Sequence, residues 1–444
     1  MGDPATRRPP RSAPARLASL GATGVAIAGR SALGKVRKVG AGPERQSEID
    51  AATHEHNAAR LFRALSELRG AAAKIGQLLA LQTHTLPEPY TRRLAALQWQ
   101  APPMHGTLAR LQIRQHLGQR PEEIFADFER QPLAAASLGQ VHRARLQDGT
   151  PVAVKIQYPG MDRTLGSDLR IFEGVLSTLG WNHRERPEIF AALEEVGRQL
   201  RREADYRQEA AAMETFRHLL RPRSDVLVPR SFPELSTDRI LTMELVDGQH
   251  PRTTPADPSA SPESINRLAA RLLDLFFHQT FELGILHADP HPGNFLLCPD
   301  GRLALLDFGC TQRLATDLMA NVRALFQLPL EETPEHHRLY RQLGLGHSKD
   351  TQQAEGQAAL DEMRRLDLAK YRQRQAFDFA DPTYLRRMHQ ALAKLARLGL
   401  VQPEFVFYLR TRLGLYHLFH QLGARVHCRD IVRPYLAQLE TTPA

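Results

Sequence analysis

The sequence predicts an α+β protein of two lobes, with a helical extension ahead of a small sheet and a largely helical second half. Three observations predict it. Apolar residues recur at helical spacing before residue 97 and again after residue 314. A strand–turn–strand pattern occupies 133–156, and a Pro/Ser/Thr-rich stretch at 251–264 separates the sheet-bearing part from the helical part.

Each element has a local reason. Within 51–97, Leu61, Leu65, Leu68, Ala72, Ile75 and Leu79 lie three or four apart, one buried helix face, and Pro87 and Pro89 end the pattern. A second helical stretch is predicted over 107–128. Leu133 to Ala136 then leads through Ser137 and Gly139 into Gln140-Val-His-Arg-Ala-Arg-Leu146, Asp148-Gly149 is a hairpin turn signal, and Val152-Ala-Val-Lys-Ile156 is the returning strand. Residues 161–217 read as helical, 226–228 and 240–245 as short strands, and 265–284 as an apolar helix. Phe295-Leu-Leu, a Pro299-Asp-Gly turn and Leu303-Ala-Leu-Leu306 form a second hairpin, and the rest is helical apart from a polar stretch at 346–358. The 444 residues thus divide into a basic leader (1–46), an N-terminal helical extension (47–128), a sheet-bearing lobe with inserted helices (129–248) and a helical lobe (249–440).

Hydrophobic residues at 42% and charged residues at 24% exclude wholesale disorder. Cys298, Cys310 and Cys428 share no C-x-x-C spacing, which argues against a disulfide framework and a Cys-rich zinc site. No apolar run is long enough to predict an ordinary membrane-spanning helix. The net charge of +9 is concentrated: residues 1–46 hold nine Lys/Arg against two Asp/Glu. The folded body lacks the spread of cations a nucleic-acid groove needs, so no nucleic-acid partner is expected. In the leader, Arg7, Arg8, Arg11 and Arg16 precede an apolar, Gly-rich stretch at 17–29, and Arg30, Lys35, Arg37 and Lys38 follow it. Cations flanking such a stretch suit an anionic membrane surface. The same Arg-rich, acid-poor composition marks an organellar transit peptide, and it is also that of a solvated, disordered leader. The expected location is cytoplasmic and peripheral to a membrane, with the mitochondrion as the alternative.

The chemistry is concentrated in His287-Ala-Asp289-Pro-His-Pro-Gly-Asn294, followed thirteen residues after the Asn by Asp307-Phe-Gly309. Phosphoryl transfer needs Mg²⁺ bridging nucleotide phosphates, and a carboxylate plus an amide oxygen suit that hard cation. Asn294 and Asp307 are the candidate metal ligands, and Asp289 the candidate base. Upstream, Val152-Ala-Val-Lys155 matches the strand lysine that contacts α/β-phosphates. A lysine on a core-facing strand needs an anionic partner. Candidates lie in Glu203-Ala-Asp205-Tyr-Arg-Gln-Glu209, where Asp205 and Glu209 would share one face of a helix and Glu209 would reach Lys155. Ile240-Leu-Thr-Met-Glu-Leu-Val246 reads as a strand whose backbone near Glu244 and Val246 suits an adenine edge, with Met243 behind it.

Together these residues resemble the UbiB/AarF family of atypical, protein-kinase-like proteins linked to coenzyme Q, over about residues 50–430. Two further motifs carry the resemblance. Lys74-Ile-Gly-Gln77 looks like the family's K-x-G-Q motif, and Ala134-Ala-Ala-Ser137-Leu-Gly-Gln140 looks like its alanine-rich loop, standing where ordinary kinases place G-x-G-x-x-G. The resemblance implies a two-lobed protein-kinase-like fold whose extension covers the site, with Lys74 pairing with Glu203, the first acid of an E-x-D motif completed by Asp205. It implies a loop (Ala134, Ala135, Ala136, Ser137) that holds the phosphates differently from a glycine loop, because Cβ atoms restrict φ > 0 and close backbone approach. It also implies ATP or ADP with Mg²⁺ as ligands, and quinone-biosynthesis proteins or lipid-like small molecules as partners. Ala288 replaces the arginine that senses activation-loop phosphate, and no A-P-E follows Asp307-Phe-Gly309, so a peptide-docking shelf is not signalled. The expected function is therefore an atypical kinase or ATPase supporting quinone or related lipid biosynthesis at a membrane surface. The alternative is a non-catalytic ATP/ADP-binding scaffold.

Overall fold

Residues 152–157 are buried without interruption, the mark of a strand covered on both faces, and they form the centre of the sheet in the computed structural model. The structure describes residues 42–67, 104–136, 138–160, 187–251, 261–345, 353–397 and 403–437, with shorter stretches within 25–40, 89–93 and 166–177. Lys74, Gln77, Ser137 and the basic leader up to residue 24 lie outside the described residues. The strands in chain order are β1 (Phe125–Phe128), β2 (Ala134–Ala136), β3 (Gly139–Leu146), β4 (Pro151–Gln157), β5 (Val226–Leu227), β6 (Ile240–Glu244), β7 (Ile285–His287), β8 (Phe295–Leu297), β9 (Leu303–Leu305), β10 (Thr311–Arg313), β11 (Phe377–Asp378) and β12 (Arg425–Val426). The helices that matter here are α1 (Pro43–Glu67), α2 (Gly106–Leu117), α3 (Pro187–Glu203), α4 (Tyr206–Leu219), α5 (Pro262–His278), α6 (Thr316–Gln327), α7 (Pro334–Gln342), α8 (Gln353–Ala369), α9 (Pro382–Arg397), α10 (Pro403–Leu422) and α11 (Cys428–Ala437). The chain divides into two units, 1–211 with 230–245, and 212–229 with 246–444. The mixture of helix and sheet is the α+β class the sequence predicts.

The first unit is built on an antiparallel sheet in the order β1-β3-β4-β6, with β2 also paired to β3. The Asp148-Gly149 turn forms as its sequence requires: Gly149 takes φ 87° and Asp148 Oδ1 accepts from Thr150 N at 2.8 Å. Helix α2 lays Ala109 and Ile113 on Val152, Val154, Ile156 and Ile240. The helix predicted over 107–128 is shorter than that. Gly118 ends α2 at φ 77°, Pro121 opens a single helical turn, and Phe125 to Phe128 pair with β3 instead. Burying Phe125 in the sheet core outweighs the helical spacing of that stretch.

The second unit contains the β8–β9 hairpin, with β5 added in parallel to β9 at Val226↔Leu303. β7 pairs with β10, so the segments before Asp289 and after Asp307 are zipped together. Helix α5 widens into a π-helix over Gln279–Leu283, so the apolar stretch at 265–284 is helical but changes register before it ends. Its Phe277 lies against Phe281, Phe326, Tyr371 and Tyr435. A buried ionic cluster ties α8 to α10: Lys370 Nζ donates to Asp367 Oδ1 at 2.8 Å and to Tyr384 at 2.9 Å, and Arg412 donates to the other Asp367 oxygen. The polar interruption at 346–358 is narrower than predicted, because α8 already begins at Gln353. The β11–β12 pair leaves no periodic signal, being two residues long on each side.

Among the described glycines of the first unit, Gly139 is the most closely enclosed. A Cβ there would run into the carbonyl oxygen of Ile156 and come within 2.9 Å of the Tyr206 hydroxyl. Gly139→Ala is expected to destabilise the protein by about 2 kcal/mol in urea unfolding; unchanged stability would contradict this close packing.

Candidate active site

In the first unit, β4 carries Lys155 opposite Val141 of β3 and Leu241 of β6. A lysine enclosed this way keeps its charge only with a partner. Its ammonium donates to both carboxylate oxygens of Glu209, at 2.7 and 2.9 Å, and lies 5.0 Å from the centre of the Tyr206 ring. The side chains of Lys155 and Glu209 are 5% and 2% exposed, so this is a buried ion pair.

Glu209 arrives there because the chain breaks between α3 and α4. Asp205 does not share a helix face with it. Instead Asp205 stands ahead of α4, its Oδ1 accepting from Arg207 N at 3.1 Å and its main-chain oxygen from Glu209 N. An aspartate satisfies exposed helix-start donors better than it continues a helix, which is why the shared-face reading failed. The junction is pinned to the sheet: Gln157 Nε2 donates to Ala204 O at 3.0 Å and Tyr206 N to Asp238 O at 3.1 Å. Glu203 is buried at the end of α3; Lys74, its expected partner, is outside the described residues.

Ala134, Ala135 and Ala136 form a strand rather than an open loop. They pair with Val141, Gln140 and Gly139, so the alanines make one arm of a tight hairpin. Behind it, Gln140 is fully engaged: its Oε1 accepts from Met104 N at 2.7 Å, and its Nε2 donates to Met104 O at 3.1 Å and to His142 Nε2 at 2.7 Å. His142 Nδ1 in turn donates to Glu129 O at 2.8 Å. Burial holds the His142 pKa below its ordinary value, so the imidazole is neutral, as these two bonds require. The main-chain N–H of Glu244 is spent on Arg230 O at 2.8 Å. Val246 packs on Leu296, Cys298 and Ala304 in the second unit.

In the second unit, Asp289, Asn294 and Asp307 are held by main-chain bonds between their segments. Asn294 Nδ2 donates to Asp289 Oδ2 at 2.9 Å and to Asp289 O at 3.1 Å, leaving its Oδ1 as the atom it can offer a cation. Asp307 Oδ1 accepts from Gly309 N at 2.9 Å, and Leu306 N donates to Asn294 O at 3.0 Å. His287, a residue to which the sequence pattern assigned no role, joins the two segments. Its Nε2 donates to the main-chain oxygen of Asp307, its N–H donates to Gln279 Oε1 at 2.8 Å, and its ring meets Phe308 edge-on at 5.4 Å. The donor set fits magnesium. The Asn294 amide oxygen and the Asp307 carboxylate are hard oxygen donors, the kind this ion takes alongside phosphate and water.

Comparisons with known proteins give the family. The description "ABC1 atypical kinase-like domain" matches residues 96–333. The chain is 30% identical over 455 residues to "Atypical kinase COQ8B, mitochondrial" of Rattus norvegicus, covering 98% of this chain and 84% of the relative. This chain belongs to the ABC1/AarF family of atypical kinase-like proteins. A second relative, "Atypical kinase COQ8, mitochondrial" of Saccharomyces cerevisiae, is 30% identical over 86% of this chain and 77% of its own. "AarF domain-containing protein kinase 1" of Xenopus laevis is 34% identical over 70% of this chain, and the match spans only 61% of that relative's length. Among solved structures, the Mycobacterium tuberculosis protein Rv3197, in a complex with erythromycin, matches with a TM-score of 0.60 at 26% identity, covering 87% of this chain and 97% of its own.

The buried pair makes a stability prediction separable from function. Glu209→Leu removes the carboxylate facing a buried ammonium and is expected to cost about 3–5 kcal/mol in urea unfolding, whereas Lys155→Met/Glu209→Leu regains most of that loss. A double variant as unstable as the single one would show that the pair is not an isolated charge problem.

Proposed function

We propose that this family member uses Mg-ATP in phosphoryl transfer or hydrolysis that supports quinone or related lipid biosynthesis at a membrane surface. The observation that carries the reading is the Asp289–Asn294 and Asp307 arrangement: an oxygen-donor set beside a carboxylate able to orient a nucleophile. Lys155, oriented by Glu209, contacts the α/β-phosphates. Asn294 and Asp307 hold the metal, which when bound neutralises phosphate charge. Asp289 accepts the nucleophile's proton or positions it. The alanines at 134–136, with Ser137, limit how closely the backbone approaches the phosphates, which supports slow turnover and an altered ATP/ADP preference. Glu244 and Val246 flank the adenine. Lys74, with Gln77 beside it, latches onto Glu203 and Asp205 to close the extension over the site.

Membrane association rests on the leader. Val25, Val36 and Val39 are exposed among Arg30, Lys35, Arg37 and Lys38, a combination suited to an anionic lipid surface. No helix among the described residues is long and apolar enough to cross a membrane. The names of the mitochondrial relatives support action on an organelle membrane, and the cytoplasmic face of a membrane is the other reading. Quinone-biosynthesis proteins or lipid-like small molecules are the proposed partners.

The test is ADP release by the purified chain with Mg-ATP, with and without anionic vesicles and a quinone-precursor-like phenol. Turnover is expected to rise with vesicles and to fall by about a hundredfold or more in Asp307→Asn. Tight nucleotide binding with no turnover under any of these conditions would favour a nucleotide-binding scaffold instead.

A further inference from the structure

One face of helix α10 touches both segments that bear the proposed metal ligands and base, and no motif in the sequence marks it. Gly414 sits against Pro290, the residue after Asp289. A Cβ added at Gly414 would lie 2.7 Å from Pro290 Cγ, in a ring that has little freedom to move away. One turn earlier, Arg410 Nη2 donates to the Cys310 thiol, 3.7 Å away, and its guanidinium lies 4.9 Å from the centre of the Phe407 ring. Cys310 follows Asp307-Phe308-Gly309 directly, and its main-chain oxygen accepts from Ala288 N at 2.8 Å. Positions 410 and 414 are four apart, hence on the same side of the helix. On its other side the helix is anchored through Arg412 to Asp367 and through Tyr416 to Tyr371.

We propose that α10 is a positioning element for the proposed Mg-nucleotide site: Gly414 sets the distance of the Asp289 loop and Arg410 that of the Asp307 segment, so the helical region beyond residue 333 controls the spacing between base and metal ligand. The inference rests on the nucleotide reading above. Neither residue touches the reacting atoms, so their effect is on placement. The glycine is required by the approach of the helix to a proline ring, since α10 needs no unusual backbone angle there. A displacement of the loop by a few tenths of an ångström to one ångström is enough to lower turnover by about 10- to 100-fold.

The test uses the full chain with Mg-ATP. Gly414→Ala is expected to lower kcat by about tenfold or more with KM within about twofold. Pro290→Ala removes the ring atom the new methyl meets, so Gly414→Ala/Pro290→Ala should turn over faster than Gly414→Ala alone. Arg410→Met, which keeps the packing on Phe407, should lower kcat without the clash, which keeps the proposal open to refutation should Gly414→Ala fail to fold. Wild-type turnover with unchanged kcat in Gly414→Ala and Arg410→Met would overturn the positioning role. So would a Gly414→Ala defect that Pro290→Ala does not relieve. A wild type that binds no Mg-nucleotide would overturn the nucleotide reading itself, and this inference with it.

Discussion

The first unit depends on one buried ion pair. Moving an ammonium and a carboxylate out of water costs several kcal/mol each, and replacing such a pair with well-packed apolar residues is commonly neutral or stabilising. Lys155 and Glu209 are nonetheless at the centre of the sheet and at the start of α4, almost wholly enclosed. The surrounding structure is arranged around that cost. Two carboxylate contacts and the Tyr206 ring compensate the ammonium. The α3–α4 break, fixed by Asp205, Gln157 and Tyr206, delivers Glu209 to the strand. Gly139 clears the space that Tyr206 and the Ile156 carbonyl occupy. A fold that needed only stability could fill this place with leucine; keeping the pair is what the proposed contact of Lys155 with phosphates calls for.

The second unit solves a different problem, that of holding two acidic segments still without a metal cage of its own. Main-chain pairing between β7 and β10 and the His287 bond to Asp307 fix the spacing, and Asn294 orients Asp289 directly. The π-helix after α5 belongs to the same arrangement, since it supplies the Gln279 oxygen that receives the His287 N–H. Gln279, His287, Asp289 and Asn294 are therefore engaged with one another or with the Asp307 main chain, the condition under which a polar network rigidifies a site.

Much of this was legible in the sequence, and the failures have physical causes. Both hairpins were readable because Asp148-Gly149 and Pro299-Asp-Gly specify turns and the flanking runs are β-branched or apolar. The spacing of Asp289, Asn294 and Asp307 singled them out as candidates, and the structure pairs Asn294 with Asp289; their metal role belongs to the proposal. Residues 125–128 were misread as helix because a single sheet-core phenylalanine decided the outcome, which local spacing does not record. Asp205 was misplaced because its side chain favours a helix start over a helix interior. Gln140, His287 and Tyr206 stand inside motifs but had no role legible there, since what defines each is a partner more than thirty residues away in the first case, twenty in the second, and fifty-one in the third. The alanine hairpin was recognised by composition, and its pairing with Gly139 to Val141 emerges only with β3 in place.

The proposal's central claim is that Lys155 and Asp307 both serve a metal-bound nucleotide. Manganese in place of magnesium, followed by electron paramagnetic resonance on the full chain, tests it most directly. The account predicts protein-bound manganese only when ATP is present, and its loss in Lys155→Met as well as in Asp307→Asn. Manganese held by the Lys155→Met protein with wild-type affinity, or bound at Asp307 without any nucleotide, would contradict it.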